Sequence, residues 1–390
     1  MREYLTYIKN NFPKELQLII LLSQDKPDKS EISSLVKNMN WNLFIDLVLK
    51  HRMVSHIYKY SQLLEEFIPS EVVETIKQFK LDQSGKSLSY TAFLIQIHQH
   101  LVENTIPHCF FKGPLLSLEL YQDVGFRNFG DIDILVEKKN VEKAKQIIES
   151  LGFSCIYPRI KLTDRQRKIN YTLSHHYHFK HQHKNSDIEL HWSITNPQSF
   201  FGKNTSEIIE NTEKIKITNI IVPYISKIDN LVFLAAHGSI HQWYRLFWLK
   251  DFSVLLSKTN LKDLEMAFIL SKSLKLEKCF LQACQMSHII YKTEMPSFLK
   301  STKKEEYLIQ IPLKSIYLNE LKQQGLKGKF MYVFYRLKLK PSIKYYFDLI
   351  YRLRTHLSDW ETLKIPNRLF FLYYIFRPFL LIYKHFSTKH

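Results

Sequence analysis

The spacing of apolar residues along the chain predicts three regions of different secondary structure. The N-terminal part carries apolar side chains at intervals of three and four, as in Trp41 and Phe44, which is the period of an amphipathic helix. Further along, short apolar runs alternate with helical ones, and then the helical period returns. We therefore expect a helical region over residues 1–105, an α/β domain over 106–225 and a second helical region over 226–390.

Within the middle region the pattern predicts strand, helix, strand and helix in succession. Ile106–Phe111 is a short, mostly apolar run, and Leu115–Tyr121 has helical spacing. Ile132–Val136 is an apolar strand, and Lys139–Leu151 is an amphipathic helix for which Gly152 supplies a left-handed cap. This succession predicts an α+β fold, with a small mixed sheet flanked by N-terminal and C-terminal helical regions.

Two hairpins and a long helix are predicted next. The hairpins are Tyr177–His183 with Ile188–Trp192, and Ile215–Ile217 with Ile220–Val222. Ser226 is a predicted N-cap, and the helix that it begins is expected to run through Leu256. In the basic C-terminal part, Gly325–Lys329 and Lys340–Pro341 are predicted linkers.

Composition narrows the class of protein. The chain has 390 residues, of which 45% are hydrophobic, so a disordered protein is excluded. Only 9 glycines occur and no G-x-G-x-x-G is present, which argues against a dinucleotide-binding fold. The 4 cysteines form no C-x-x-C pair, and so few in a chain of this length cannot form a disulfide scaffold. We expect reduced thiols and a cytoplasmic location.

The charge of the chain favours an anionic partner. Lysine and arginine number 55 against 37 acidic residues, and the net charge of +18 attracts nucleotides, nucleic acids and acidic membranes alike. Phe330–Lys340 and Tyr345–Arg354 interleave basic with aromatic residues, so RNA or lipid headgroups are candidates for an acidic surface contact, although a solvated amphipathic helix is the simpler expectation. Leu369–Tyr383 is interrupted by Arg377-Pro378 and is too short for a bilayer, so no transmembrane segment is expected.

The sharpest chemical signal is a pair of carboxylates at the strand Ile132–Val136. Asp131 and Asp133 are two residues apart, so in a strand both would project from one face, roughly 7 Å apart. Two carboxylates on one face repel unless a cation compensates them, and a hard divalent ion is the usual solution. Glu189 lies in a second strand with apolar neighbours. Three carboxylates converge if the two strands are adjacent.

A predicted phosphate-binding turn precedes the acidic strand. In Lys112-Gly113-Pro114 the glycine would let the backbone approach a phosphate, and the proline suits the first position of a helix. The N-terminus of that helix would offer amide donors. Lys112 adds positive charge, and Arg127, four residues ahead of Asp131, is a second candidate for a phosphate contact.

This arrangement resembles the polymerase-beta-like nucleotidyltransferase superfamily, in which a glycine turn and a helix precede an acidic D-x-D strand and a third carboxylate follows on a later strand. The chain is most similar to one branch with a Lys-Gly turn, the uncharacterised nucleotidyltransferase family. The similar segments are WNLFIDLVLKHR (41–52), KGPLLSLELY (112–121), RNFGDIDILV (127–136), IELHW (188–192) and HGSIHQWYRLFWLKD (237–251).

The resemblance implies a palm domain that transfers a nucleoside monophosphate from a nucleoside triphosphate to an acceptor hydroxyl and releases pyrophosphate. The site residues that it implies are Asp131, Asp133 and Glu189 as catalytic ligands of Mg²⁺ or Mn²⁺, and Lys112, Gly113 and Arg127 as nucleotide contacts. The acceptor stays open among a small molecule, a protein and an RNA. The alternatives are a basic nucleic-acid-binding protein, or a scaffold protein with a non-catalytic palm.

Histidines outside the carboxylate group allow both a structural and a functional interpretation. His237, His241 and Arg245 recur at spacing four on the expected helix, so they would share a face and, with Asp251, are candidates for nucleotide or acceptor contacts. A helix flank with internally bonded histidines is the alternative. The run from His175 to His183 invites a zinc site, but alternation divides its histidines between two faces and a structural zinc ion needs four converging ligands. Hydrogen-bonded strand histidines are expected there.

Overall fold

The computed structural model describes residues 2–60, 66–299, 306–318 and 325–387, which form an α+β fold with a seven-stranded mixed sheet, as the sequence predicted. The chain divides into two compact units, each discontinuous in sequence. The helical unit comprises Met1–Leu94, Lys112–Gly130 and Ser226–Lys340, and the sheet unit comprises Ile95–Phe111, Asp131–Ile225 and Pro341–His390. The division into three contiguous domains expected from the sequence stays a prediction.

The strands all lie in the sheet unit. They are β1 (His108–Phe111), β2 (Ile132–Val136), β3 (Phe153–Tyr157), β4 (His176–His181), β5 (Asp187–His191), β6 (Glu213–Ile217) and β7 (Ile220–Tyr224). Their order across the sheet is β3-β4-β5-β2-β1-β7-β6. The pairs β2–β5 and β1–β7 are parallel and the other neighbours are antiparallel. The predicted strand at β2 and both predicted hairpins are confirmed.

Helices cover the strands and fill the helical unit. Those of the sheet unit are Val141–Ser150, Asp164–Leu173, Gln198–Phe201, Thr205–Glu210, Ile343–Tyr351, Leu357–Thr362 and Leu372–Ser387. Those of the helical unit are Arg2–Asn11, Lys14–Leu22, Lys29–Leu35, Trp41–Lys50, Val54–Tyr58, Gly113–Tyr121, Lys227–Ile240, Leu246–Lys258, Leu261–Ser273, Glu277–Tyr291, Glu306–Leu318 and Gly325–Leu339. The residues of the long helix Ser70–Glu103 divide between the units after Leu94.

Burial of β2 on both faces fixes the centre of the sheet. Every residue of β2 is buried, including Asp133. The helix Val141–Ser150 packs on β3 and β5 through Val141, Ala144 and Ile148, whose spacing of three and four forms one apolar stripe. Strands that are covered on both sides are ordinarily apolar throughout, so a carboxylate in β2 is an exception that calls for a chemical reason.

The helix predicted from Ser226 through Leu256 is broken, which corrects the sequence-based expectation. Ser226 caps it as predicted, by accepting a hydrogen bond from the backbone N–H of Asp229. The first helix ends at Ile240 and the next begins at Leu246. Gln242 and Trp243 adopt positive φ after the helix, and Gly238 leaves room for the buried indole of Trp243, because a Cβ on that glycine would lie 2.2 Å from a ring carbon.

One of the two predicted linkers is also wrong. Gly325–Lys329 is not a linker, because Gly325 begins the helix Gly325–Leu339. Lys340–Pro341 does separate two helices and coincides with a unit boundary. None of the helices in the described part of the chain has both the length and the hydrophobicity that a bilayer span requires, as expected.

Candidate active site

Parallel pairing of β2 with β5 brings two of the predicted carboxylates together. Asp133 on β2 is the register partner of Glu189 on β5. Because parallel neighbours keep their side chains in step, residues at matched positions project from the same face of the sheet. On its other side β2 pairs with β1, where Phe111 is opposite Asp133. The acid from β2 is therefore fixed within the sheet by hydrogen-bonded backbone on both sides.

A histidine completes this group, and the sequence reasoning missed it. Nε2 of His191 lies 3.1 Å from a carboxylate oxygen of Asp133 and 3.1 Å from one of Glu189. His191 is two residues after Glu189 on β5, so both side chains share a face. The spacing Glu-x-His within the segment IELHW was the signal that could have revealed it. The carboxylate group consists of Asp133, Glu189 and His191.

Two of the three side chains in the carboxylate group are buried, which strengthens the electrostatic interactions among them. The side chains of Asp133 and His191 are 0% and 2% exposed, whereas that of Glu189 is 21% exposed, so Glu189 is the most open to solvent of the three. Burial lowers the pKa of His191, but the hydrogen bonds and negative charges of Asp133 and Glu189 outweigh it, and the pKa is raised overall. The ring edge of Phe111, at a centroid distance of 5.0 Å, packs against the imidazole.

The third predicted carboxylate, Asp131, is not part of this group. It directly precedes β2 and is partly exposed. The ligand atoms that lie within 4.8 Å of one another belong to Asp133, Glu189 and His191. Two of the three predicted acids thus converge with an imidazole, and a metal-binding role for Asp131 stays a prediction.

Two further imidazoles adjoin the carboxylate group. His175, His176 and His191 also offer ligand atoms within 4.8 Å of one another, and His176 lies 3.7 Å from Glu189. β4 is antiparallel to β5, so His176 is opposite His191 in register. Burial lowers the pKa of His176 to about 4, although the charge of Glu189 opposes the shift. The neutral imidazole is the form that coordinates metals.

The helix that the sequence predicted after the Lys-Gly turn begins at Gly113. Lys112 and Gly113 both have positive φ angles, 59° and 53°, and the helix Gly113–Tyr121 starts immediately, with Pro114 in its first turn. Positive φ is easily adopted by glycine and disfavoured for other residues, which accounts for glycine at position 113. The ammonium of Lys112 lies 5.6 Å from the ring centre of Phe233. The nucleotide contacts of Lys112 and Gly113 stay predictions.

Arg127 and Asp251, both predicted to contact a ligand, bind each other in the helical unit. Nε of Arg127 lies 2.7 Å from a carboxylate oxygen of Asp251, and both side chains are buried. Arg127 also donates to the carbonyl of Gly113 at 3.3 Å, and the hydroxyl of Tyr121 donates to Asp251 at 2.9 Å. Burial raises the pKa of Asp251, although the charge of Arg127 opposes it. Arg127 thus holds the carbonyl of the Lys-Gly turn, and a contact with nucleotide stays a prediction.

Comparison with known proteins identifies the family. Residues 37–292, more than half of the 390-residue chain, match the model of the uncharacterised nucleotidyltransferase family. The chain belongs to this family. Membership supports a general nucleotidyltransferase role and a nucleotide as substrate, and confirms the resemblance seen in the sequence. A comparison with curated proteins finds no match.

Two of the remaining predicted contacts, His237 and His241, lie in an aromatic cluster in the helical unit. The imidazoles of His237 and His241 are 4.8 Å apart, and each lies within 5.2 Å of the ring of Trp248. The guanidinium of Arg245 lies 5.6 Å from Trp248, but it comes from the segment between two helices. The expectation that Arg245 shares a helix face with the histidines is therefore wrong, because the helix ends at Ile240. Their contacts with nucleotide or acceptor stay predictions.

Proposed function

We propose that the chain is a metal-dependent nucleotidyltransferase that moves a nucleoside monophosphate from a nucleoside triphosphate to an acceptor hydroxyl and releases pyrophosphate. The observation that carries this proposal is the carboxylate group. Asp133 and Glu189 are matched in register on parallel strands, and both contact His191 at 3.1 Å. A buried acid in the central strand is costly for folding, which favours a functional reason for its presence.

The donors and their distances fit a divalent metal ion. The ligand atoms of Asp133, Glu189 and His191 all lie within 4.8 Å of one another, so one divalent ion could accept all three as donors. Carboxylates suit Mg²⁺ and Mn²⁺, whereas an imidazole ligand favours transition metals over Mg²⁺. We therefore propose that Asp133, Glu189 and His191 hold the ion, with Asp131 as a further ligand, and that Mn²⁺ binds more tightly than Mg²⁺.

The roles of the chain's residues follow from their exposure. A bound divalent ion supplies charge neutralisation at the phosphates and lowers the pKa of an attacking hydroxyl. Asp133 is buried and fixed within the sheet, so we assign it the role of a rigid negatively charged ligand for the metal ion. Glu189 is partly exposed, and we assign it the position nearest the acceptor hydroxyl, where it could accept the proton. Catalysis would then rest on positioning and electrostatics.

The nucleotide is assigned to the Lys-Gly turn. Lys112 and Gly113, at the N-cap and the first position of the helix, both have positive φ, the start of the helix offers backbone amides, and Lys112 adds a positive charge. Arg127 supports this turn through the carbonyl of Gly113. Nothing in the turn selects one base, so all four nucleoside triphosphates are candidate substrates, and the acceptor is a hydroxyl compound, a protein or an RNA.

Pyrophosphate release tests the proposal. Each of the four nucleoside triphosphates is incubated with the protein, Mn²⁺ or Mg²⁺, and cell extract as a source of acceptor. We expect release that depends on the metal and is lost in Asp133→Asn and Glu189→Gln. Asp187→Asn is the matched control, because Asp187 is an acid on the same strand that contacts His178 and lies outside the carboxylate group.

Binding measurements separate the proposal from its alternatives. A nucleotidyltransferase binds a nonhydrolysable nucleoside triphosphate more tightly when Mn²⁺ is present. A nucleic-acid-binding protein binds RNA or DNA with strong salt dependence and without a need for metal. A scaffold with a non-catalytic palm shows neither metal-dependent nucleotide binding nor release of pyrophosphate. Turnover without any divalent ion, or full activity in both acid variants, would contradict the mechanism.

A further inference from the structure

The C-terminal segment of the sheet unit presents apolar stripes to solvent. In the helix Ile343–Tyr351 the exposed apolar residues are Ile343, Phe347 and Ile350. In the helix Leu372–Ser387 they are Tyr374, Ile375, Phe376, Phe379, Leu381 and Tyr383, of which Ile375, Phe379 and Tyr383 are the most exposed. The trio Ile343, Phe347 and Ile350 and the trio Ile375, Phe379 and Tyr383 are 55% to 70% exposed. Their spacing of three and four places each trio along one face of its helix.

These stripes are additional to the faces with which the helices pack. Tyr345, on the first helix, is buried, and its ring lies 5.3 Å from that of Phe200. Tyr373, on the second, is buried in a cluster with Trp360 and Phe370. A helix of a soluble domain that has already buried one apolar face ordinarily has a polar opposite side. Contiguous exposed apolar surface of this kind marks an interaction site.

In this segment the acidic side chains have partners within the fold, whereas several basic side chains are exposed. Its acids are engaged within the fold: Asp348 with Arg352 and Ser199, Asp359 with Arg377, and Glu361 with the backbone N–H of Arg159. The charged side chains among residues 341–383 that are exposed are all cations, namely Lys344, Arg354, Lys364 and Arg368. The surface that remains open is therefore apolar and cationic together.

We propose that this C-terminal segment docks on an anionic lipid surface. Apolar stripes bordered by lysine and arginine are typical of helices that lie in the membrane interface, where side chains enter the acyl boundary and cations contact the headgroups. A second copy of the chain fits less well, because a symmetric interface would bring the exposed cations of both copies together without exposed acids to pair them. The aliphatic members of the stripes, such as Ile343 and Ile350, have no ring to stack on bases, which disfavours RNA. The inference does not depend on the proposed function.

Vesicle flotation of the full chain tests this docking. We expect the protein to float with vesicles of equal parts phosphatidylcholine and phosphatidylglycerol, and not with phosphatidylcholine alone. The variant Phe347→Ser/Phe379→Ser should lower partitioning at least tenfold, because both rings are exposed and their loss leaves the core intact. Replacing the four exposed cations with glutamine should have a similar effect, since each basic residue near the surface contributes about fivefold. Ile269→Ser, an equally exposed residue of another helix, is the control that should float like wild type.

Three outcomes would overturn the inference. The first is no binding to either vesicle, or equal binding by wild type and by both the ring and the cation variants. The second is a wild-type dimer in light scattering that Phe347→Ser/Phe379→Ser converts to a monomer, which would identify a second copy as the occupant. The third is binding of RNA to the wild-type protein, if the same variants lose that binding and if RNA displaces the wild-type protein from vesicles. Circular dichroism of each variant verifies the fold, and the cation variant keeps the test decisive if the ring variant unfolds.

Discussion

Nε2 of His191 lies 3.1 Å from a carboxylate oxygen of Asp133, within the buried centre of the sheet. The two residues are on neighbouring parallel strands, β5 and β2, and the imidazole also contacts Glu189 at 3.1 Å. A histidine between two acids can be a metal ligand, or it can orient the acids by donating a hydrogen bond. Either role makes His191 part of the site, and the two roles predict different responses to substitution.

Replacing His191 with glutamine should weaken binding of Mn²⁺. Glutamine can still donate a hydrogen bond but is a poorer ligand for a transition metal than imidazole, so we expect His191→Gln to bind Mn²⁺ measurably more weakly than wild type. Titration calorimetry, or electron paramagnetic resonance of Mn²⁺, measures this directly. The affinity for Mg²⁺ should fall less. If His191 only orients the acids, His191→Gln will retain its Mn²⁺ affinity, and the assignment of the imidazole as a ligand is then wrong.

Local sequence patterns are sufficient to predict where the strands and the acidic segment lie along the chain. Alternation and apolar runs predicted β2 and both hairpins, because these features depend on residues close in sequence. The sequence does not predict that β2 pairs with β5; the convergence of the carboxylates is predicted only if these strands are adjacent. That pairing depends on contacts between residues more than fifty positions apart, such as Asp133 with Glu189. The carboxylate group could therefore be predicted in part: the Glu-x-His spacing places His191 on the face of Glu189, but its contact with Asp133 depends on the strand pairing.

The helix break at Ile240 shows where such patterns fail. The period of apolar residues continues across the break, because Trp243 and Phe247 are both buried although a helix ends before the first and another begins before the second. The helix ends where Gln242 and Trp243 adopt positive φ and the backbone N–H of Trp243 donates to the carbonyl of Gly238, and apolar spacing does not reveal these backbone conformations. The ion pair of Arg127 with Asp251 is similar, since its members are 124 residues apart. Arg127 and Asp251 are predicted from the sequence as ligand contacts, because the sequence alone does not show that they pair with each other.

Breaking the ion pair between Arg127 and Asp251 should destabilise the fold. Arg127→Met leaves a buried carboxylate without its cation, and the expected loss in the free energy of unfolding is about 3–5 kcal/mol. Combining it with Asp251→Asn removes the stranded charge and should recover part of the loss. Urea unfolding measures both.

A surface pair supplies the control for Arg127. Arg167 is partly exposed and contacts Glu142 and Asp164, so Arg167→Met should cost no more than about 1 kcal/mol. If Arg127→Met instead unfolds like wild type but loses affinity for nucleoside triphosphate, the phosphate contact predicted from sequence is the correct role.

Buried His51 should make stability fall as the pH decreases. Its Nδ1 accepts a hydrogen bond from the backbone N–H of Leu246, and burial lowers its pKa to about 3. The unfolded chain binds a proton near pH 6.5 while the folded chain does not, so stability is full above that pH and is lost below it. At about pH 5 the expected loss is about 2 kcal/mol for this residue.

Unfolding of variants at two pH values isolates the contribution of His51. His51→Gln cannot titrate, so between about pH 7.5 and pH 5 it should lose about 2 kcal/mol less than wild type. His100→Gln, on an exposed residue, should follow the wild type. An unchanged pH dependence in His51→Gln would show that protonation of this imidazole does not govern acid sensitivity.

Two glycines in helices should respond to alanine in opposite directions. Gly238→Ala places a Cβ 2.2 Å from a ring carbon of buried Trp243, so the indole or the helix must move, and we expect a loss of about 1–3 kcal/mol in the free energy of unfolding. Gly85→Ala meets nothing within 4 Å, and alanine favours a helix over glycine, so that variant should gain about 0.5–1 kcal/mol. Urea unfolding compares them under identical conditions, and tryptophan fluorescence reports whether the indole shifts. Equal stability of the two variants would mean that the turn after Ile240 does not depend on the packing of Trp243 against Gly238.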